Sequence, residues 1–210
     1  MRLPLPALLP ALLLAASLAL LYPGTQGARA AETPRATVER LNAALLDAMR
    51  NAETLGYQGR YDQLAPLLKE TFDFPAMARV IIGSHWSAIS SAQQQAFTEA
   101  FTAYSIGVFA DRFDGYDGER FEVLGEQPAR RGAVLVQNRI VRPDDDPVAI
   151  NYLTQPENEG ANWRIVDTIL GGTASELATR RSEYDGIIKK LGIEALIQAL
   201  KDKTAGFAKD

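Results

Sequence analysis

The chain has 210 residues, with 22 Lys and Arg against 26 Asp and Glu, one His and no Cys. The absence of Cys excludes disulfides and thiolate metal sites. The mild acidity, with no basic stripe or polybasic run, argues against nucleic acid as a partner and against electrostatic adhesion to anionic lipid.

The chain starts with a basic Arg2, an apolar Leu- and Ala-rich run from Leu3 to Leu21, and a small-residue site at Ala28-Arg29-Ala30. That order is the pattern of a removable secretory signal, read here as residues 1–30. A run of that length could also anchor a chain in a bilayer. Pro4, Pro6 and Pro10 weigh against this, because proline disrupts a helix interior. The remainder keeps 20 basic against 26 acidic residues, a net charge of −6. Its length suits one domain, expected over residues 31–203, with a frayed tail at 204–210.

Thr33-Pro34 reads as an N-cap followed by a first helical residue. Val38, Leu41, Leu45, Ala48, Ala52 and Leu55 continue at helical spacing, and Gly56 is the stop. A short second helix is expected to carry Tyr61, Leu64, Leu68 and Phe72, with Pro66 in its first turn. Pro75 restarts a helix through Met77, Val80 and Ile81, which Gly83 ends. Ser90 and Gln93 form a capping box that opens the longest helix. Phe97, Phe101, Tyr104 and Val108 share one face of it, with Phe109 and Phe113 beside them.

From Phe121 the apolar period changes to two. Phe121 and Val123 alternate. Val134, Val136, Asn138 and Ile140 follow, then Val148, Ile150 and Tyr152, then Trp163, Ile165, Asp167 and Ile169. Asp144-Asp145-Asp146 and Glu157-Asn158-Glu159-Gly160 separate the last three runs, so the block reads as an antiparallel meander. Gly171-Gly172 ends the last strand. Thr173 and Glu176 read as a second capping box. Leu177, Tyr184, Ile188 and Leu191 mark the next apolar helix face, and Gly192 separates it from a final amphipathic helix. Helices on either side of antiparallel strands imply an α+β domain with helices over one sheet face.

The chain offers little reactive chemistry. His85 is alone, beside Trp86, and reads as structural rather than as a metal ligand. There is no G-x-S-x-G elbow and no Gly-rich phosphate loop. Asp167 stands out because it shares an expected strand face with Trp163, Ile165 and Ile169, where a carboxylate needs a partner. Arg181, on the apolar stripe of the following helix, is the expected partner, with a catalytic role for Asp167 as the alternative. An apolar interior with few reactive groups favours binding over catalysis, so no enzyme activity is expected.

Phe72-Asp73-Phe74-Pro75-Ala76-Met77-Ala78-Arg79, followed by Gly83 and Trp86, resembles the signature of the MlaC, or toluene-tolerance, family of periplasmic lipid-binding proteins. The resemblance continues through Gln94, Phe97, Phe101 and Tyr104. It includes Trp163-Arg164-Ile165-Val166-Asp167 and Gly171-Gly172, and ends in Arg180-Arg181-Ser182-Glu183-Tyr184 and Gly192. The stretch from Asp167 to Glu183 is most similar to the hopanoid-associated HpnM branch.

The resemblance implies a twisted, mostly antiparallel sheet of the NTF2-like type, with a surrounding helical subdomain that encloses an apolar cavity. It implies a lipid ligand, hopanoid or phospholipid, and docking to inner- and outer-membrane lipid-transport complexes. It implies a periplasmic location and brings no cofactor and no catalytic residue. Periodicity, not the resemblance, supplies the candidate lipid-binding positions. From the helices these are Met77, Ile81, Phe97, Phe101, Tyr104 and Val108. From the strands they are Val134, Val136, Ile140, Val148, Ile150, Tyr152, Ile165 and Ile169. Two other readings stay open. One is an NTF2-like envelope enzyme with Asp167 in the cavity. The other is an accessory protein of a hopanoid synthesis or export complex that binds no ligand.

Overall fold

The computed structural model describes residues 32–157 and 162–208. The leader read at residues 1–30, the turn positions 158–160 and the last two residues lie outside that range. Six α-helices and five strands run in the order α1 (Pro34–Arg50), α2 (Ala52–Thr71), α3 (Phe74–Ile82), α4 (Ser91–Arg112), β1 (Arg120–Pro128), β2 (Val134–Val141), β3 (Val148–Glu157), β4 (Asn162–Leu170), β5 (Ala174–Ser175), α5 (Glu176–Leu191) and α6 (Ile193–Phe207). A 3₁₀ segment, Gly83–Ala88, links α3 to α4. The strands form one antiparallel sheet in sequence order, β1-β2-β3-β4-β5. This is the α+β meander that the change of period from helical to two implies.

Local signals place most helix ends. The Thr33 hydroxyl accepts from the Ala36 N–H and opens α1. Ser90 and Gln93 make both bonds of the capping box at α4. Gly192, at φ 85°, separates α5 from α6 in a conformation that glycine adopts without a Cβ penalty.

Four expectations need correction. The first helix ends at Arg50, capped by Asn51, rather than at Gly56, and Ala52 and Leu55 belong to α2. Pro66 lies well inside α2 rather than in a first turn, because the helix already runs from Ala52, with a break at Gly56 (φ 57°). Pro66 is on the exposed side, where the carbonyl it leaves without a donor can bond water. Ser175, not Thr173, caps α5: its hydroxyl accepts from the Ala178 N–H, and Ala174-Ser175 pairs with β4 as a short fifth strand. The final helix continues through Phe207, past the expected fraying point at Thr204. Phe207 is held by stacking on Tyr57 (6.0 Å) and Tyr104 (5.9 Å).

α1 lies across one part of the sheet and closes it. The Asn42 side-chain amide donates to Asn138 Oδ1 on β2 at 2.8 Å, and both side chains are buried. The Thr37 hydroxyl reaches the Trp163 carbonyl at the start of β4. Beneath α1, Val136 is fully buried. The far end of β4 and the start of β3 are left to face α3 and α4. Phe72, between α2 and α3, is drawn to the sheet by a bridge to Ile165, with the Asp73 N–H donating to the Ile165 carbonyl at 2.9 Å.

Candidate lipid-binding site

The part of the sheet not sealed by α1 borders a cavity of about 140 Å³. α4 supplies one wall. Phe101, Ser105, Val108 and Arg112 follow one another at steps of three and four, so they lie along one side of the helix. Phe109 and Phe113 widen that wall. Ile150 and Tyr152 on β3, with Thr168 and Leu170 on β4, form the opposite wall. They are cross-strand partners, Ile150 with Leu170 and Tyr152 with Thr168, and therefore share a face. Phe72, Phe74 and Met77 close the bottom, and Glu176 and Arg180 from α5 stand at the side.

The cavity is graded from dry to wet. Phe72, Phe74, Met77, Phe101 and Tyr152 are all buried. Their rings make a continuous set of contacts: Phe72 stacks on Phe74 at 5.4 Å and meets Phe109 edge-on at 5.5 Å, and Phe74 meets Phe101 edge-on at 6.0 Å. These are preferred aromatic geometries, and they fix the floor. Burial pushes the Tyr152 phenol well above its ordinary pKa, so it stays neutral. The charged lining groups are on the wetter side, with Arg112 exposed and Glu176 and Arg180 half-buried. Arg180 is held by Glu176 (3.4 Å), by the Tyr184 hydroxyl (3.3 Å) and by the face of Tyr104 (5.1 Å).

Of the residues expected from periodicity, Met77, Phe101, Val108, Ile150 and Tyr152 line this cavity. The others do not. Ile81, Phe97, Val136 and Ile165 are buried in the closed core. Tyr104 turns toward α6 and stacks on Phe207. Val134 and Ile140 are half-buried on the side sealed by α1, and Val148 is exposed near the β2–β3 turn.

Ile169 is displaced by a β-bulge. β3 advances one residue from Leu153 to Thr154 while β4 moves two, from Asp167 to Ile165, leaving Val166 as the extra residue. A bulge reverses the alternation beyond it. Thr168 and Leu170 therefore take the cavity face, and Asp167 and Ile169 do not.

The same bulge corrects the reading of Asp167. It lines no part of the cavity and does not pair with Arg181. Its Oδ1 accepts from the Leu177 N–H at 3.1 Å, and its Oδ2 accepts from the Ser175 hydroxyl at 2.6 Å. It ties the first turn of α5 to the sheet, where a carboxylate also meets the positive end of the helix dipole. Arg181 lies instead over Gly83, whose φ is +50°. A Cβ at Gly83 would come within 2.9 Å of the Arg181 guanidinium. Asp167→Ala should cost about 2–3 kcal/mol, because it orphans a buried N–H and a hydroxyl. Asp167→Asn, which can still accept from the Leu177 N–H, should cost about half as much. Urea unfolding midpoints check the order of the two.

Sequence reasoning missed Phe72, Phe74, Phe109, Phe113, Ser105, Arg112, Thr168, Leu170, Glu176 and Arg180. Phe109 and Phe113 were visible beside the aromatic face. The rest depend on the bulge and on which elements close the cavity. His85 has a structural place: its Nε2 is 2.9 Å from Asp185 on α5. Lys189, and then His85, hold the Asp185 carboxyl below its ordinary pKa. Among the described residues, no three His, Asp or Glu side chains gather as metal ligands.

The model of the family described as MlaC protein matches residues 39–202, which include every element of the domain except the ends of α1 and α6. The chain belongs to the MlaC family. A similar solved structure is the phospholipid-binding protein from Ralstonia solanacearum in complex with a phospholipid. It superposes with a TM-score of 0.71 at 20% identity, covering 85% of this chain and 99% of that one. At that identity the likeness establishes the fold: helices with a five-stranded, open, twisted antiparallel sheet, shared by this MlaC protein. No curated protein sequence matches the chain.

Proposed function

We propose that this MlaC protein is a periplasmic carrier. It takes lipid tails into the cavity between α3, α4 and the β3–β4 face and moves them between inner- and outer-membrane complexes. The observation that carries this reading is the cavity itself, with a buried aromatic floor and charged groups confined to its wetter side. That is the polarity of an amphiphile. Family membership and a bound phospholipid in the Ralstonia relative support it.

The physical need is plain. Exposing a tail of about sixteen methylenes to water costs roughly 13 kcal/mol, at about 0.8 kcal/mol per methylene. That slows unaided crossing of an aqueous layer by about nine decades. A cavity removes most of the barrier without covalent chemistry. A space near 150 Å³ takes one benzene-sized molecule, about six carbons, so a whole tail enters by parting the walls around it. The leader fits the same role, since export and cleavage free the domain to diffuse between two membranes.

The segment from Asp167 to Glu183, the one most similar to the hopanoid-associated branch, contributes Thr168, Leu170, Glu176 and Arg180 to the cavity. Differences between branches in that segment therefore act directly on the ligand, and hopanoid joins phospholipid as a candidate cargo. Catalysis by Asp167 has no support here, because both its oxygens hold α5.

Transfer between vesicles tests the proposal. Donor vesicles carrying a fluorescent phospholipid are mixed with unlabelled acceptors and the mature domain. A transfer rate that rises in proportion to protein concentration is the expected result. A rate equal to that without protein contradicts it.

A further inference from the structure

Four side chains of α4 line the cavity in sequence: Phe101, Ser105, Val108 and Arg112. At 1.5 Å rise per residue they span about 16 Å along the helix axis. Phe101, at one end, is almost fully buried, whereas Arg112, at the other, is exposed. One side of one helix therefore runs from an aromatic floor through a hydroxyl and a methyl-bearing side chain to a guanidinium.

The three charged lining groups are not equivalent. Glu176 and Arg180 form an ion pair, and Arg180 also donates to Tyr184 and covers the Tyr104 ring. Arg112 makes no hydrogen bond or ion pair among the described residues, although Asp111 and Asp114 are close to it in the chain. The cavity thus presents one uncompensated positive charge, at the end opposite its buried floor. A guanidinium suits phosphate in particular, because its planar fork can donate two parallel hydrogen bonds to the oxygens.

We propose that Arg112 selects the headgroup: the cavity prefers an amphiphile whose tail lies against Phe101 and whose phosphate meets Arg112, over a neutral amphiphile with the same tails. This rests on the carrier reading and adds the chemistry of the ligand's polar end. Glu176 sharpens the selection, since its charge is already matched by Arg180 and leaves no second cation to accommodate a larger anionic group.

The test loads the mature domain from vesicles containing equal amounts of dioleoyl phosphatidic acid and dioleoylglycerol, and counts each bound lipid by mass spectrometry. The wild type should take phosphatidic acid over diacylglycerol by about tenfold, the scale of one charge-assisted hydrogen bond at a partly exposed site. In Arg112→Gln the ratio should fall to about twofold or less. Arg112 is exposed and has no partner among the described residues, so this variant should fold, and an unchanged thermal midpoint checks that. In the wild type alone, the preference should shrink as salt rises toward 1 M, where screening acts over about 3 Å.

Glycerol 3-phosphate carries the same anion without tails and should not displace phosphatidic acid at millimolar concentration. If it competes as well as the lipid, the site belongs to a free phosphate and the headgroup assignment is overturned. Equal loading of both lipids by the wild type, or an undiminished ratio in Arg112→Gln, overturns the inference and leaves the carrier reading standing. Loading of neither lipid overturns both.

Discussion

Phe72→Ala should lower stability by about 3–5 kcal/mol, the range for truncating a fully buried ring in a packed core. Phe72 is 2% exposed and touches Phe74, Phe109 and Tyr152, so one ring holds together α3, α4 and β3. Its backbone neighbour Asp73 is bonded to Ile165, which keeps the chain from collapsing into the gap. The cost should therefore fall near the upper end, where relaxation is poor. The midpoint of urea unfolding reads it directly. A loss below about 1 kcal/mol would mean that the aromatic floor is not a packed unit.

Val108→Trp should act on the ligand and not on the fold. Val108 is half-buried and borders the cavity, so the larger ring has space to enter. Bound lipid should fall at least tenfold, with the unfolding midpoint close to that of the wild type. Val136→Trp makes the contrast. Periodicity marks both valines as apolar and inward, but Val136 is fully buried beneath α1 with Tyr152 as its cross-strand partner. Overpacking there should cost about 1–3 kcal/mol or more. Lipid measurements and unfolding curves on the pair separate cavity wall from closed core.

What could be read from the sequence was local. Thr33-Pro34, Ser90 with Gln93, and Gly192 act within a few residues, and each marks its boundary in the structure. The change of apolar period at Phe121 marks the start of the sheet for the same reason. The choice between Ser175 and Thr173 as the cap was not local. It follows from the Asp167 carboxylate reaching Ser175 and from the pairing of β5 with β4.

The site was half legible. Phe101 and Val108 follow from helical spacing, and Ile150 and Tyr152 from strand alternation. Asp167 and Ile169 mislead because one extra residue, Val166, breaks the period that Ile165 starts. Val136 and Ile140 mislead differently. They point to the expected face, but the Asn42–Asn138 bond fixes α1 over that part of the sheet, a contact between residues far apart in sequence. Arg112 and Arg180 are charged, so an apolar pattern passes over them even where Arg112 continues the helical spacing of Phe101, Ser105 and Val108. Their importance comes from standing at the wetter side of a cavity whose walls come from five separate segments.

The most direct test of the central claim is to purify the mature domain gently from its own envelope, extract it with organic solvent and weigh the extract by mass spectrometry. The account predicts close to one lipid per protein in the wild type and little in Val108→Trp. An extract without stoichiometric lipid, or equal lipid in both proteins, would contradict it.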